Sequence, residues 1–105
     1  MFSTEDILSI LPEAKIKELI KHLDGWQWDG KKIFREITYP SFLDVINSVT
    51  RIAEIAESKD HHPDMDIRYN ILRLILWTHD QGGVTAKDMA MARILDTEVK
   101  KQMAK

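Results

Sequence analysis

The chain has 105 residues, 44% of them hydrophobic and 30% charged, with a formal charge of -2. That is the length of one domain, too apolar for disorder, and its basic runs are too short to track a phosphate backbone. It contains no cysteine, which excludes a disulfide scaffold, a thiolate nucleophile and any cysteine-ligated zinc site.

No apolar run approaches the ~20 residues of a membrane span. The acidic start, Met1-Phe2-Ser3-Thr4-Glu5-Asp6, lacks the basic-then-apolar pattern of a secretion signal. A cytoplasmic location is therefore expected, with neither nucleic acid nor membrane as partner.

Residues 3 to 23 carry Ile7, Leu8, Leu11, Ile16, Leu19, Ile20 and Leu23 at helical steps. Ser3 or Thr4 can cap the start. Pro12 disfavours helical geometry at Leu11, which predicts a break there and a restart with Pro12 in the first turn. Asp24-Gly25 is the expected end. Trp26 to Trp28 and Lys32 to Tyr39 flank Asp29-Gly30, which reads as a β-hairpin. Ile33, Arg35, Ile37 and Tyr39 share one parity, and Pro40 closes the strand. Ser41 with Asp44 resembles a capping box. It opens a helix to about Ser58 whose stripe is Val45, Val49, Ile52 and Ala56.

Residues 65 to 77 read as strand, divided by a turn at Tyr69-Asn70 because Asn tolerates turn geometry. Leu72, Leu74 and Leu76 face one way; Ile71, Arg73, Ile75 and Trp77 face the other. Helices on one side of a sheet cover only one parity, so the second set calls for cover by a partner or a ligand, unless Arg73 and its neighbours make a half-wet face; a homo-oligomer is expected. Gly82-Gly83 is a loop, and Thr85 with Asp88 caps a last helix carrying Met89, Met91, Ala92, Leu95 and Val99. The order predicts a single α+β domain over 1–105: three main helices packed on one face of a four-stranded antiparallel sheet (α-β-β-α-β-β-α), preceded by a short extra N-terminal helical segment.

Three of the four histidines, His61, His62 and His79, fall at element ends within nineteen positions, where side chains can converge on a cleft. Histidine titrates near neutral pH and can donate and accept protons. Glu57 lies one helical turn before His61 and can fix an imidazole's tautomer. His22, Trp26, Trp28 and Tyr69 read as structural or solvated, and Asp88 as a cap. Three histidines and a carboxylate can hold zinc, but the chain has neither a His-x-His nor a helical His-x-x-x-His pair, and no metal is expected. No Gly-x-Ser-x-Gly elbow or glycine-rich phosphate loop is present.

The run Glu57-Ser58-Lys59-Asp60-His61-His62-Pro63, then Tyr69-Asn70, Thr78-His79-Asp80, Gly82-Gly83-Val84-Thr85 and Asp88 resembles the pterin-4a-carbinolamine dehydratase family. Gly25-Trp26, the strand Ile33 to Tyr39 and Phe42 look like its earlier landmarks. The likeness spans about Ile16 to Val99. Ile37 and Tyr39 depart from phenylalanines common in the family.

The resemblance implies dehydration of 4a-hydroxytetrahydropterin to quinonoid dihydropterin, recycling the pterin of an aromatic amino acid hydroxylase, a possible functional partner. It implies His61, His62, His79 and Glu57 as catalytic residues and His62, Pro63, Thr78, Asp80 and Asp88 as substrate-binding ones. The pterin is substrate, no further cofactor is expected, and protomers pair through sheet edges into dimers or tetramers. The alternatives are a non-catalytic dimerisation cofactor of a transcription regulator and a dehydratase of another pterin, such as one related to the molybdenum cofactor.

Overall fold

The computed structural model describes residues 9–104. The capping expected of Ser3 or Thr4 and the extra N-terminal helix fall mostly outside those residues. Within them, Leu11 is buried and its N–H donates to Val84 O at 2.8 Å, so the entering chain is tied to the domain just before Pro12.

Helix α1 spans Glu13–Ile20, with Pro12 at its N-cap in an extended conformation. Residues 9–11 are non-helical and the helix starts at Glu13, as the steric argument requires, with Pro12 one position outside the first turn rather than in it; a helix before Pro12 would lie outside the described residues. The helix ends four residues before Asp24. The following turn closes at Gly25, whose φ is +79° and where a Cβ would lie 3.1 Å from Arg35 Nε; only glycine suits both conditions.

Strands β1 (Gln27–Trp28) and β2 (Ile33–Thr38) form the expected hairpin, with Trp28 paired to Ile33. The Asp29 carboxylate organises the connecting loop by accepting the N–H groups of Lys31 and Lys32 at 2.8 and 2.7 Å. Helix α2 spans Phe42–Lys59, and Ser41 caps it by accepting Asp44 N–H. The Asp44 carboxylate reciprocates by accepting the Ser41 hydroxyl at 2.9 Å.

Strands β3 (Asp64–Arg68) and β4 (Ile71–Leu76) form the second hairpin. At its turn Tyr69, not Asn70, takes the positive φ, at 53°. Asn70 is occupied elsewhere: its amide donates to Tyr39 O at 3.0 Å and its carbonyl accepts Tyr39 N–H at 2.8 Å, which fastens the turn to the end of β2. A short 3-10 turn, His79–Gln81, precedes helix α3, Ala86–Met103. Thr85 and Asp88 form the predicted capping box.

The sheet order is β1-β2-β4-β3, antiparallel throughout. One face carries Ile33, Leu72, Leu74 and Leu76, all fully buried with Val45, Ile52 and Leu95 of the helices. Each such side chain contributes roughly 1.5–3 kcal/mol by leaving water. The same face buries a polar cluster. Asp96 of α3 accepts Trp26 Nε1–H at 2.7 Å and pairs with Arg35 at 2.6 Å. The other sheet face is half covered by its own side chains: Arg73 lies over Phe34, 4.1 Å from the ring centroid, and pairs with Glu36 at 3.5 Å.

Candidate active site

The end of α2 sets the position of two histidines. Asp60 adopts a left-handed conformation (φ 51°) and its N–H reaches Glu57 O, while His61 N–H reaches back to Ala56 O at 3.2 Å. This is a Schellman-type ending. It turns the chain sharply, so His61 and His62 leave the helix in different directions, and the next residues enter β3.

His61 turns inward, and Asp88 on the first turn of α3 holds it. Asp88 is fully buried, and its two oxygens divide the work. Oδ1 lies 2.6 Å from His61 Nε2. Oδ2 accepts Thr78 Oγ1–H at 2.9 Å and Thr85 N–H at 2.8 Å. A second bond joins Thr78 Oγ1 to Thr85 Oγ1 at 2.7 Å. One carboxylate therefore caps α3, ties the end of β4 to it, and fixes one imidazole. The cap read from the sequence is present, and it is also part of the site. With the carboxylate accepting from Nε2, Nδ1 is the ring nitrogen of His61 that Asp88 does not engage.

His62 is exposed, and its Nε2 lies 2.6 Å from Glu57 Oε1. Glu57 thus orients His62. His79 stands on the 3-10 turn across the cleft, its ring stacked on Trp77 with centroids 4.0 Å apart. Asp60, His61, His62, Trp77, Thr78, His79, Asp80 and Lys87 line one cleft of about 270 Å³.

The three histidines singled out by sequence spacing therefore meet at one cleft, together with Thr78 and Asp80. Pro63 is buried and Asp88 lies behind His61, and neither lines the cleft. Asp60, Trp77 and Lys87 line it without having been singled out. Trp77 carried a signal, as an apolar residue on the face the helices leave uncovered. Asp60 and Lys87 carried only their nearness to His61 and Asp88.

Among the described residues no group of three or more His, Cys, Asp or Glu side chains is arranged to hold a metal ion, and no helix is long and apolar enough to cross a membrane. A larger hollow of about 400 Å³ between α2 and α3 is lined by Tyr39, Ser48, Arg51, Glu98 and Gln102 among others, with no histidine.

Comparison with known proteins places this geometry in context. The profile of the family described as Pterin 4 alpha carbinolamine dehydratase matches residues 9–98. A Mycobacteroides abscessus protein is 44% identical over 92 residues, covering 88% of this chain and 98% of its own. A Mycobacterium avium protein is 46% identical over 86 residues, covering 82% and 92%. Both carry the name "Putative pterin-4-alpha-carbinolamine dehydratase". A crystal structure of a transcriptional coactivator/pterin dehydratase from Brucella melitensis superposes with a TM-score of 0.79 at 35% identity, over 86% of this chain and 98% of that one. A pterin dehydratase-like protein identified as a RuBisCO assembly factor of the alpha-carboxysome shares the fold, at a TM-score of 0.56 and 16% identity, over 70% of this chain and 84% of that one.

Proposed function

Because the chain belongs to the pterin 4 alpha carbinolamine dehydratase family, we propose that it dehydrates a 4a-hydroxytetrahydropterin to the quinonoid dihydropterin by histidine acid–base catalysis. The observation that carries this reading is the meeting of three imidazoles at one cleft, one of them backed by a buried carboxylate.

The reaction needs two proton transfers. Hydroxide is a poor leaving group, so the oxygen on C4a must gain a proton and depart as water. The N5 proton must be lost, and the C4a–N5 double bond forms from the electrons it leaves. Two histidines across a cleft can serve as acid and base, each contributing ~10²–10⁴-fold. His61 and His79 are assigned this pair. Asp88 holds His61 and stabilises its imidazolium when it carries the proton. His62, fixed by Glu57, binds and orients the flat pterin with Thr78 and Asp80. The product is two electrons more oxidised than the tetrahydropterin, so a separate reduction must precede its return to an aromatic amino acid hydroxylase.

The protein is proposed to act as a homodimer or homotetramer joined through sheet edges. Strand β3 is a free edge, and its Met65 and Ile67 are exposed. The deciding experiment measures breakdown of 4a-hydroxytetrahydropterin with and without protein, beside a His61→Ala/His79→Ala double variant checked for folding. Acceleration that vanishes in the folded variant supports the reading. An inactive, folded wild type overturns it.

A second reading, a binding role beside or instead of catalysis, is favoured by the naming of the Brucella protein as a transcriptional coactivator and by Phe42 and Leu43, exposed at the start of α2. It predicts that Leu43→Ser abolishes partner binding while leaving turnover intact.

A further inference from the structure

Two strand registers converge on Trp77. Ile33 pairs with Leu76, which sets Lys32 across from Trp77; Asp64 pairs with Ile75, which sets Asp64 diagonal to it on the same face. The side chains meet accordingly. Trp77 Nε1–H donates to Asp64 Oδ2 at 3.0 Å. Lys32 Nζ lies over the indole, 4.6 Å from its centroid. The ring of His79 stacks on the indole with 26° between the planes.

The three cleft histidines differ in what holds them. His61 and His62 each have a carboxylate oxygen at 2.6 Å. The nearest carboxylate oxygen to His79 Nε2 is Asp64 Oδ1 at 4.0 Å, beyond hydrogen-bond reach. The ring is also more than half exposed, on a three-residue turn. The indole stack is the contact that restricts it.

We infer that Trp77 is a positioning residue for His79, with Asp64 fixing the indole through its N–H. Stacking orders an imidazole that would otherwise exchange rotamers in solvent, so that its nitrogens stay directed at the cleft. The negative face of the indole also accommodates the imidazolium formed when His79 carries a proton. The kinetic half of this inference rests on the dehydratase reading; the structural half does not.

The test uses Trp77→Phe, Trp77→Ala and Asp64→Ala, the last of which removes the acceptor of the indole N–H. Trp77 is half-buried and packs against the edge of the core, so each variant is first checked for native folding by circular dichroism. In proton–carbon spectra, the ring protons of His79 in the wild type are expected upfield of those of exposed His22, through the ring current of the indole. In Trp77→Ala they move to the position of His22, and in Trp77→Phe they stay partly shifted. In turnover, Trp77→Ala lowers kcat about tenfold with KM nearly unchanged, Trp77→Phe restores most of the loss, and Asp64→Ala falls between Trp77→Ala and the wild type. Wild-type His79 protons that coincide with those of His22, or a Trp77→Ala kcat equal to wild type, overturn the inference. A wild type without turnover overturns the dehydratase reading instead, and the spectra alone then decide whether Trp77 holds His79.

Discussion

Asp88 joins the fold to the site, and replacing it separates the two contributions. In Asp88→Ala, Thr78 and Thr85 keep each other's hydroxyls as partners, and Lys87 N–H keeps Thr85 Oγ1. Thr85 N–H loses its acceptor in a fully buried place. A buried donor left unpaired costs ~1–3 kcal/mol, and the vacated space adds about 1 kcal/mol. The expected loss is about 3 kcal/mol, a large part of the ~5–15 kcal/mol that holds a domain together. For a domain this size it lowers Tm by about 15 °C.

Asp88→Asn behaves differently. Its amide oxygen can still accept from Thr85 N–H and Thr78, so the loss is about 1 kcal/mol. It no longer places a charge 2.6 Å from His61 Nε2. Turnover falls by about tenfold to a hundredfold, no more than the lower end of the ~10²–10⁴ that one acid–base group supplies, because His61 itself remains, while the protein stays folded. Thermal melts followed by circular dichroism, with kcat on the same samples, read both quantities. An Asp88→Ala melt within about 3 °C of wild type would refute the hydrogen-bond argument. An Asp88→Asn enzyme at full rate would refute the role of the charge.

Removing Asp96 strands Arg35 and Trp26 together, because one buried oxygen serves both; Asp96→Ala is expected to lose about 3 kcal/mol in urea unfolding. Burial works to raise the Asp29 carboxyl but is outweighed by the N–H donors of Lys32 and Lys31 and by nearby positive charge, so it sits below its ordinary 3.8. Its stabilisation is complete above that value and fades as pH falls through the lowered one. Asp29→Asn should therefore flatten the acid limb of a stability–pH curve. Burial raises the Tyr39 hydroxyl above 10.0, against the opposing bond to Ser48. That stability is complete below pH 10.0 and is lost as pH climbs to the raised value, so Tyr39→Phe should resist alkaline unfolding better than wild type. On the proposed edge pairing, Ile67→Lys on β3 converts the oligomer to monomer in sedimentation, with the melting of the isolated protomer little changed.

Local chemistry made most of the elements legible. Pro12 set the start of the first described helix for steric reasons, Asp29-Gly30 marked a hairpin, and Ser41 and Thr85 capped helices because their oxygens reach orphan N–H groups. The alternation of Leu72, Leu74 and Leu76 announced a buried face, and all three are fully buried. Tyr69 was harder, since its positive φ answers to Asn70 being bound to the end of β2, a contact 31 residues away. The histidines were legible as candidates because their type and clustering are unusual, and the quoted run pointed to the family.

What the amino-acid order determined by itself was the alphabet of the protein: element types, the core stripe, the caps and three titratable rings at element ends. Tertiary structure alone decided which of these touch. β4 lies between β2 and β3, so Lys32, Asp64 and Trp77 meet across two interstrand registers that no periodicity encodes. Asp88 was visible as a cap because capping is a three-residue affair. Its bond to His61, 27 residues away, depends on how α2 and α3 pack on the sheet. Local hydrogen bonds can be read from short spacing because the backbone fixes the reach of the side chain. The pairing of distant polar groups depends on the packing of the whole core, and that packing places the histidines around one cleft.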